Sequence, residues 1–237
     1  MEIKYNFENL KKFITEGYKI ACGNNNSYIY YDGVLVNFCK EIIDAFRRNK
    51  NIDEDDIIRI FCNNKGEITK KVIDFNKLDY FKKVSKNITL TKLPKGVLYY
   101  ESIPIGTIEP YFEKHHWLHF LEDVGHKEMY LLLKDILLRL HELEQNGIYR
   151  LGLDRNNIMY NDKKPELVDL MDSNVTCGKD KILEQNVYSN YLDLLYAIIH
   201  RQSFDANLYR EFRDVLTIND CNYDVCRDVL KRLKKKF

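Results

Sequence analysis

An excess of charge of either sign is missing from this sequence. Its 237 residues include 37 basic and 36 acidic side chains, which gives a net charge of +1. A chain that binds nucleic acid or an anionic membrane as its main partner usually carries a clear basic excess. The composition therefore argues against both partners. At this length the chain can bury a sizeable core and forms one large or two small domains.

Long apolar runs and paired cysteines are also missing. No run approaches the roughly 20 residues that a transmembrane helix needs. The N-terminal stretch MEIKYNFENLKKF has acidic residues and no apolar segment long enough for a secretion signal. The six cysteines include no C-x-x-C pair, which is typical of buried thiols in a reducing compartment. We therefore expect a cytoplasmic protein.

The first half of the chain has the pattern of a small β-rich unit. From Gly17 to Phe38 three strands are predicted, with a glycine and asparagine loop after the first and an Asp32-Gly33 hairpin turn before the third. An amphipathic helix is predicted from Lys40 to Arg48, and two or three short strands between Asn87 and Phe112. The prediction for this part is about five antiparallel strands and one helix.

The second half has a helical pattern. A long helix is predicted up to Gln145, with its leucines and isoleucines on one broad buried stripe and Asn146-Gly147 as its stop. Two short strands, NIMYN and ELVDL, follow with the turn DKKP between them. A buried helix, NVYSNYLDLLYAIIHR, and two further helices complete the chain. Strands followed by helices predict the α+β class in two lobes, residues 1–112 and 113–237.

Two oxygen-bearing side chains stand at the ends of that predicted hairpin. Asn157 opens its first strand, and Asp169 ends its second, so the hairpin should bring both to one edge. An oxygen pair of this kind suits Mg²⁺, which keeps several waters and shares phosphate oxygens. We therefore predict that Asn157 and Asp169 are metal ligands.

Four motifs in the right order resemble the protein-kinase-like superfamily. The segment RLGLDRNN is similar to the catalytic-loop motif H-R-D-L-x-x-x-N, and DLM to D-F-G. NVYS is similar to the D-V-W-S start of a later buried helix, and KGVLYYESIPIGTIEPYFE to the strands before the adenine-binding hinge. The resemblance implies a bilobal fold with a small antiparallel β-sheet lobe and a helical lobe, and a site for ATP and Mg²⁺ between them. It further implies nucleotide contacts at four residues: Gly23, Asn37, Glu109 and Tyr111.

The sequence departs from the family at the groups that do chemistry. Gly152 occupies the position of the catalytic base, Arg150 that of the usual histidine, and Asn37 that of the phosphate-binding lysine. Asp154 lies two residues beyond the base position, about 6–7 Å along an extended chain. Lys92 or Lys95 could supply the lost charge. Three acids are candidates for the partner of that lysine: Glu41, Glu54 and Asp55.

These departures favour a catalytically impaired, pseudokinase-like protein that binds ATP and Mg²⁺ and engages a protein partner. A general base contributes roughly 10²- to 10⁴-fold to a rate, and its loss leaves metal binding intact. The alternative is an active phosphotransferase that uses Asp154 as a relocated base on a protein or small-molecule hydroxyl. A third hypothesis is a scaffold that keeps the fold and binds no nucleotide.

Overall fold

The chain forms two compact units in the computed structural model. The first comprises residues 1–83 and 93–112, and the second comprises residues 84–92 and 113–237. Residues 84–92 therefore belong to the second unit, although the sequence placed them in the first. The structure describes residues 1–22, 26–48, 52–70, 73–112, 116–117, 125–153, 157–161, 164–201 and 221–234. Among these, no helix combines the length and the apolar character that crossing a membrane requires.

The first unit is built on a six-stranded sheet with the strand order β1-β5-β6-β4-β3-β2. Its neighbours are antiparallel except for β1 and β5, which run parallel. The bounds are β1 (Glu2–Tyr5), β2 (Tyr18–Cys22), β3 (Asn26–Tyr31), β4 (Val34–Cys39), β5 (Gly96–Tyr100) and β6 (Ile103–Glu109).

Four helices accompany this sheet: α1 (Phe7–Glu16), α2 (Lys40–Arg48), α3 (Glu54–Phe61) and α4 (Phe75–Val84). α1 begins at Asn6, whose side chain accepts a hydrogen bond from the backbone N–H of Asn9. Its buried residues Leu10 and Phe13 join α2 and one face of the sheet in a single apolar core. Burial of that face fixes the register of the strands that supply this core, since a slip of one residue would expose their apolar side chains.

The small unit is larger than the sequence predicted. The expected strands β2 to β6 and the helix α2 are confirmed. The prediction of one wholly antiparallel sheet was wrong because β1 adds a parallel edge strand, with Glu2 opposite Val97. The prediction of a single helix was wrong as well. The mixed α+β class is confirmed.

The second unit is dominated by three helices, α5 (His126–Gln145), α6 (Lys181–Arg201) and α7 (Tyr223–Lys234). The predicted stripe of α5 is confirmed, since each member is at most 2% exposed: Leu132, Leu133, Ile136, Leu137, Leu140 and Leu143. α6 packs close to α5, and the hydroxyl of Tyr191 donates to the carbonyl of Leu133 over 2.9 Å. A further predicted helix around LYREFRDVL lies outside the described residues.

The described part of the second unit also contains two small antiparallel sheets. One has the order β10-β9-β7 and the other pairs β11 with β8. The strands are β7 (His116–Trp117), β8 (Ile148–Tyr149), β9 (Ile158–Asn161), β10 (Lys164–Leu167) and β11 (Asn174–Val175). The predicted hairpin is thus present, but its second strand begins at Lys164 and ends at Leu167. Asp169 therefore follows the strand instead of ending it.

A substitution at Gly106 tests how closely strands β4 and β6 approach each other. A Cβ at this position in β6 would lie 2.7 Å from Cγ1 of Val36 and 2.8 Å from the carbonyl oxygen of Asn37. Because both atoms belong to the adjacent strand β4, Gly106→Ala should lower the free energy of unfolding by about 1–3 kcal/mol. Urea unfolding followed by circular dichroism measures this loss.

Gly178→Ala is the matched control, because nothing lies within 4 Å of a Cβ there. We expect its free energy of unfolding to stay within about 0.5 kcal/mol of the wild type. Equal stability of the two variants would contradict the close approach of β4 and β6.

Candidate functional site

The open end of the β9–β10 hairpin brings Asn157 and Asp169 together. The last register pair is Ile158 opposite Leu167. Just beyond it, the backbone N–H of Val168 donates to the carbonyl of Asn157 over 3.0 Å. Asn157 and Asp169 consequently flank the same end of one hydrogen-bonded ladder. The metal role predicted for them stays a prediction, and this placement is compatible with it.

The backbone of Asp169 adopts the left-handed conformation, with φ 59° and ψ 40°. This conformation costs a non-glycine residue free energy, although aspartate and asparagine tolerate it better than most. The residue immediately precedes a short 3-10 turn, Leu170–Asp172, yet its carboxylate makes no capping hydrogen bond to that turn. Strained residues of this kind cluster at functional sites. Capping is therefore not the role of the Asp169 carboxylate.

The side chain of Asn157 is held by the loop that precedes it. Its Nδ2 donates to the carbonyl of Gly152 over 2.7 Å. This bond uses the nitrogen of the amide and turns Oδ1 away from that carbonyl, because the two atoms are on opposite sides of the amide carbon. Asn157 thus presents an acceptor oxygen with a fixed orientation.

The donor set at the hairpin end fits a hard divalent cation. An amide oxygen and a carboxylate are ligands that Mg²⁺ prefers, and two protein ligands suffice when waters and phosphate oxygens supply the rest. The cation would neutralise phosphate charge. Within the described ranges, no group of three or more His, Cys, Asp or Glu side chains could hold a metal ion. A site built entirely from protein carboxylates or imidazoles is therefore not present in that part of the chain.

The guanidinium of Arg150 borders Gly152, the residue that the kinase resemblance places at the position of the catalytic base. Gly152 is exposed. A Cβ on it would lie 3.7 Å from Nη1 of Arg150 and 3.8 Å from Nδ2 of Asn157, which are ordinary contact distances. The empty base position is thus bordered by hydrogen-bond donors. Asp154, the predicted replacement base, lies outside the described residues.

One face of the first unit's sheet carries a buried polar row. Asn37 pairs across the strands with Tyr28 on one side and Thr107 on the other. Its Nδ2 donates to the Tyr28 hydroxyl over 3.1 Å, and Thr107 donates to the carboxylate of Glu109 over 2.6 Å. Asn37 and Glu109 are 8% and 6% exposed.

This row is rich in acceptors. Oδ1 of Asn37 is buried and has no hydrogen-bond partner among the residues that the structure describes. Nδ2 of Asn37 already donates to Tyr28, so the atom that Asn37 offers is the acceptor Oδ1. It cannot bind phosphate oxygens as the ammonium group of a lysine would. It suits a hydrogen-bond donor, such as the amino group of a nucleobase. The sequence predicted Asn37 as a nucleotide contact at the position of the lost lysine, but it did not reveal that this amide is buried.

The other predicted nucleotide contacts are only partly described. Tyr111 follows β6 and stacks on Tyr30, with their ring centroids 3.9 Å apart. Because Tyr30 lies two residues after Tyr28 in β3, this stack is on the same face of the sheet as the polar row. Gly23 lies outside the described residues.

The structure describes all five charged side chains that were candidates for the lost lysine or for its acidic partner. Glu41 forms an ion pair of 2.5 Å with Lys70, which lowers the pKa of Glu41. Glu54 and Asp55 lie in the first turn of α3, where acids complement the helix dipole. Lys92 is exposed, and its charge offsets part of the rise in pKa that burial causes at Glu166. Lys95 is exposed just before β5.

A buried ion pair that the sequence did not reveal positions the hairpin. Arg139 on α5 is 5% exposed and lies 2.8 Å from the carboxylate of Glu166 on β10. It also pairs with Asp135 over 3.3 Å and donates to the carbonyl of Leu90. Burial raises the pKa of Glu166, and the charge of Arg139 offsets only part of this effect.

A second carboxylate anchors the segment 84–92. Glu142, one turn after Arg139 on α5, accepts hydrogen bonds from the backbone N–H groups of Thr89 and Leu90. It also accepts from the Thr89 hydroxyl over 2.8 Å. In the sequence Glu142 looks like any exposed helix charge, so no local signal indicated this contact.

Comparison with family models and with curated proteins finds no match to this chain.

Asp169 provides a test of the strained backbone. Asp169→Val places a β-branched side chain in the left-handed region, so the free energy of unfolding should fall by about 1–2 kcal/mol. Asp169→Gly also removes the carboxylate but relieves the conformation, so it should be more stable than Asp169→Val by about 1–2 kcal/mol. Thermal unfolding of both variants measures the difference. An equal loss in both would assign the effect to the carboxylate's contacts.

Proposed function

We propose that this chain is a protein-kinase-like protein with a bilobal kinase-like fold, that it binds ATP and Mg²⁺ and transfers phosphate poorly, and that it acts by engaging a protein partner. The observation that carries the proposal is the hairpin end, where Asn157 and Asp169 meet on one ladder. Gly152 fixes the amide of Asn157, and the Asp169 side chain makes no capping hydrogen bond to the turn that follows it.

The surroundings of Gly152 support the impaired form. A glycine cannot accept a proton from an acceptor hydroxyl, and its described neighbours Arg150 and Asn157 offer donors. A positioned base contributes roughly 10²- to 10⁴-fold to a rate. Metal electrostatics and positioning do not depend on that base, so binding can persist without efficient turnover.

Nucleotide binding is tested by thermal shift with ATP, with and without Mg²⁺. A ligand present at a hundredfold its dissociation constant stabilises the native state by about 2.7 kcal/mol. Asp169→Asn removes one charge at nearly constant shape, and we expect it to abolish the part of the shift that requires Mg²⁺.

Asp193→Asn is the control, because Asp193 is an exposed acid on α6 of the same unit. Its Mg²⁺-dependent shift should equal that of the wild type. An ATP shift that is independent of Mg²⁺ and unchanged in Asp169→Asn would refute the metal role. The absence of any ATP shift would favour the scaffold hypothesis.

Turnover separates the impaired protein from the relocated-base enzyme. If no base operates, phosphate transfer from radiolabelled ATP is very slow and Asp154→Ala changes the rate less than twofold, which is roughly 0.4 kcal/mol. If Asp154 is the base, the same substitution lowers the rate by about 10²- to 10⁴-fold. We expect the first result. Robust transfer by the wild type that is lost in Asp154→Ala would establish the active phosphotransferase.

Gly152→Asp should not create an efficient kinase. The new side chain fits, but its carboxylate would lie beside the guanidinium of Arg150. An adjacent cation lowers the pKa of a carboxylate, and a weaker base takes up a proton less readily. The same assay is expected to show no more than a small gain in rate.

A further inference from the structure

Arg150 is a buried cation without a counter-ion among the described residues. It is 2% exposed, and its Nε has no hydrogen-bond partner in that part of the chain. Arg139, which is buried to a similar degree, is paired with two carboxylates and a carbonyl. An unpaired buried charge is strongly destabilising, and an apolar side chain of the same length would avoid the cost. The described part of the chain therefore supplies no anion to this buried guanidinium.

The space for that anion lies over Gly152. Nη1 of Arg150 is 3.7 Å and Nδ2 of Asn157 is 3.8 Å from the position of an absent Cβ, and Gly152 itself is exposed. Nδ2 has a second hydrogen beyond the one donated to Gly152. Solvent therefore reaches the place of the missing Gly152 side chain, which two nitrogen groups border; this place is the recess over Gly152. A group placed there meets donors, as an oxyanion requires.

We propose that Arg150, Asn157 and the recess over Gly152 bind a phosphate group. This inference deepens the proposed function, since it assigns a ligand to the loop that also holds the predicted metal ligand Asn157. At the position where a kinase-like enzyme would place its base, this chain recognises an anion. The phosphate is either the terminal phosphate of the nucleotide or a phosphate on a separate molecule, and both present the same oxygens to the guanidinium.

The test uses the full chain and inorganic phosphate, without nucleotide or Mg²⁺, so it remains valid if ATP binding fails. Phosphate at ten times its dissociation constant shifts the unfolding equilibrium about 11-fold, which raises Tm by roughly 3–6 °C. Chloride at equal ionic strength is the reference.

Arg150→Met is expected to reduce the phosphate-dependent shift to the part that exclusion of phosphate from the protein surface produces. Without phosphate, its Tm should be no lower than that of the wild type, since an apolar side chain of similar volume replaces an unpaired charge. A purely structural arginine would instead lower Tm when removed. Phosphate also stabilises proteins by exclusion from their surface, and this general effect remains in the variant.

Gly152→Asp supplies an internal carboxylate in place of the ligand. We expect it to raise Tm without phosphate and to remove the response to phosphate. Gly152→Asn is its uncharged control, which fills the recess but should not raise Tm. The proposal is overturned if phosphate and chloride act equally on the wild type, or if Gly152→Asp retains the full phosphate response.

Nucleotides distinguish the two sources. A response that persists with saturating Mg·ADP but disappears with Mg·ATP assigns the recess to the terminal phosphate of the nucleotide. A response that persists with Mg·ATP assigns it to a separate phosphorylated molecule. Either result supports phosphate binding at Arg150.

Discussion

The ion pair between Arg139 and Glu166 is the constraint on which the candidate site depends. It joins the long buried helix α5 to β10, and the bond from Arg139 to Leu90 adds the segment before the first unit's β5. A guanidinium that is 5% exposed is costly unless it is paired, and removal of one partner of such a pair typically costs about 3–5 kcal/mol. A slip of one residue would turn the side chain of Glu166 to the other face of the hairpin. The ion pair therefore also fixes the register of β10 and the position where the hairpin ends.

Arg139 and Arg150 are both buried in the second unit, but their hydrogen bonds differ. Arg139 spends its donors on Asp135, Glu166 and a carbonyl, so it can stabilise the fold but has little left for a ligand. Arg150 is equally buried and has an unpartnered nitrogen among the described residues. Burial alone therefore does not define the role of a charged side chain. The state of its hydrogen bonds does.

Local patterns predicted much of this fold. The stripe of α5, the hairpin turn at Asp32-Gly33 and the strand pair β9–β10 each arise from residues close in sequence. The pairing of β1 with β5 joins residues about 95 positions apart, and no local pattern indicates it. For α1 a signal existed, since Asn6 caps a stripe of Leu10, Phe13 and Ile14. In the candidate site, residue types identified Asn157 and Asp169, but the burial of Arg150 and Glu166 is a tertiary property.

At two of the departures from the kinase pattern, a buried polar group lacks a hydrogen-bond partner among the described residues. In the first unit, the lysine position holds Asn37, a buried acceptor without a partner among the described residues. In the second unit, the base position is empty and borders Arg150, a buried cation. An unsatisfied buried polar group costs about 1–3 kcal/mol, and a substitution to an apolar residue would remove that cost. A ligand of opposite character would remove the cost at each group: a hydrogen-bond donor at Asn37 and, as proposed above, an oxyanion at Arg150.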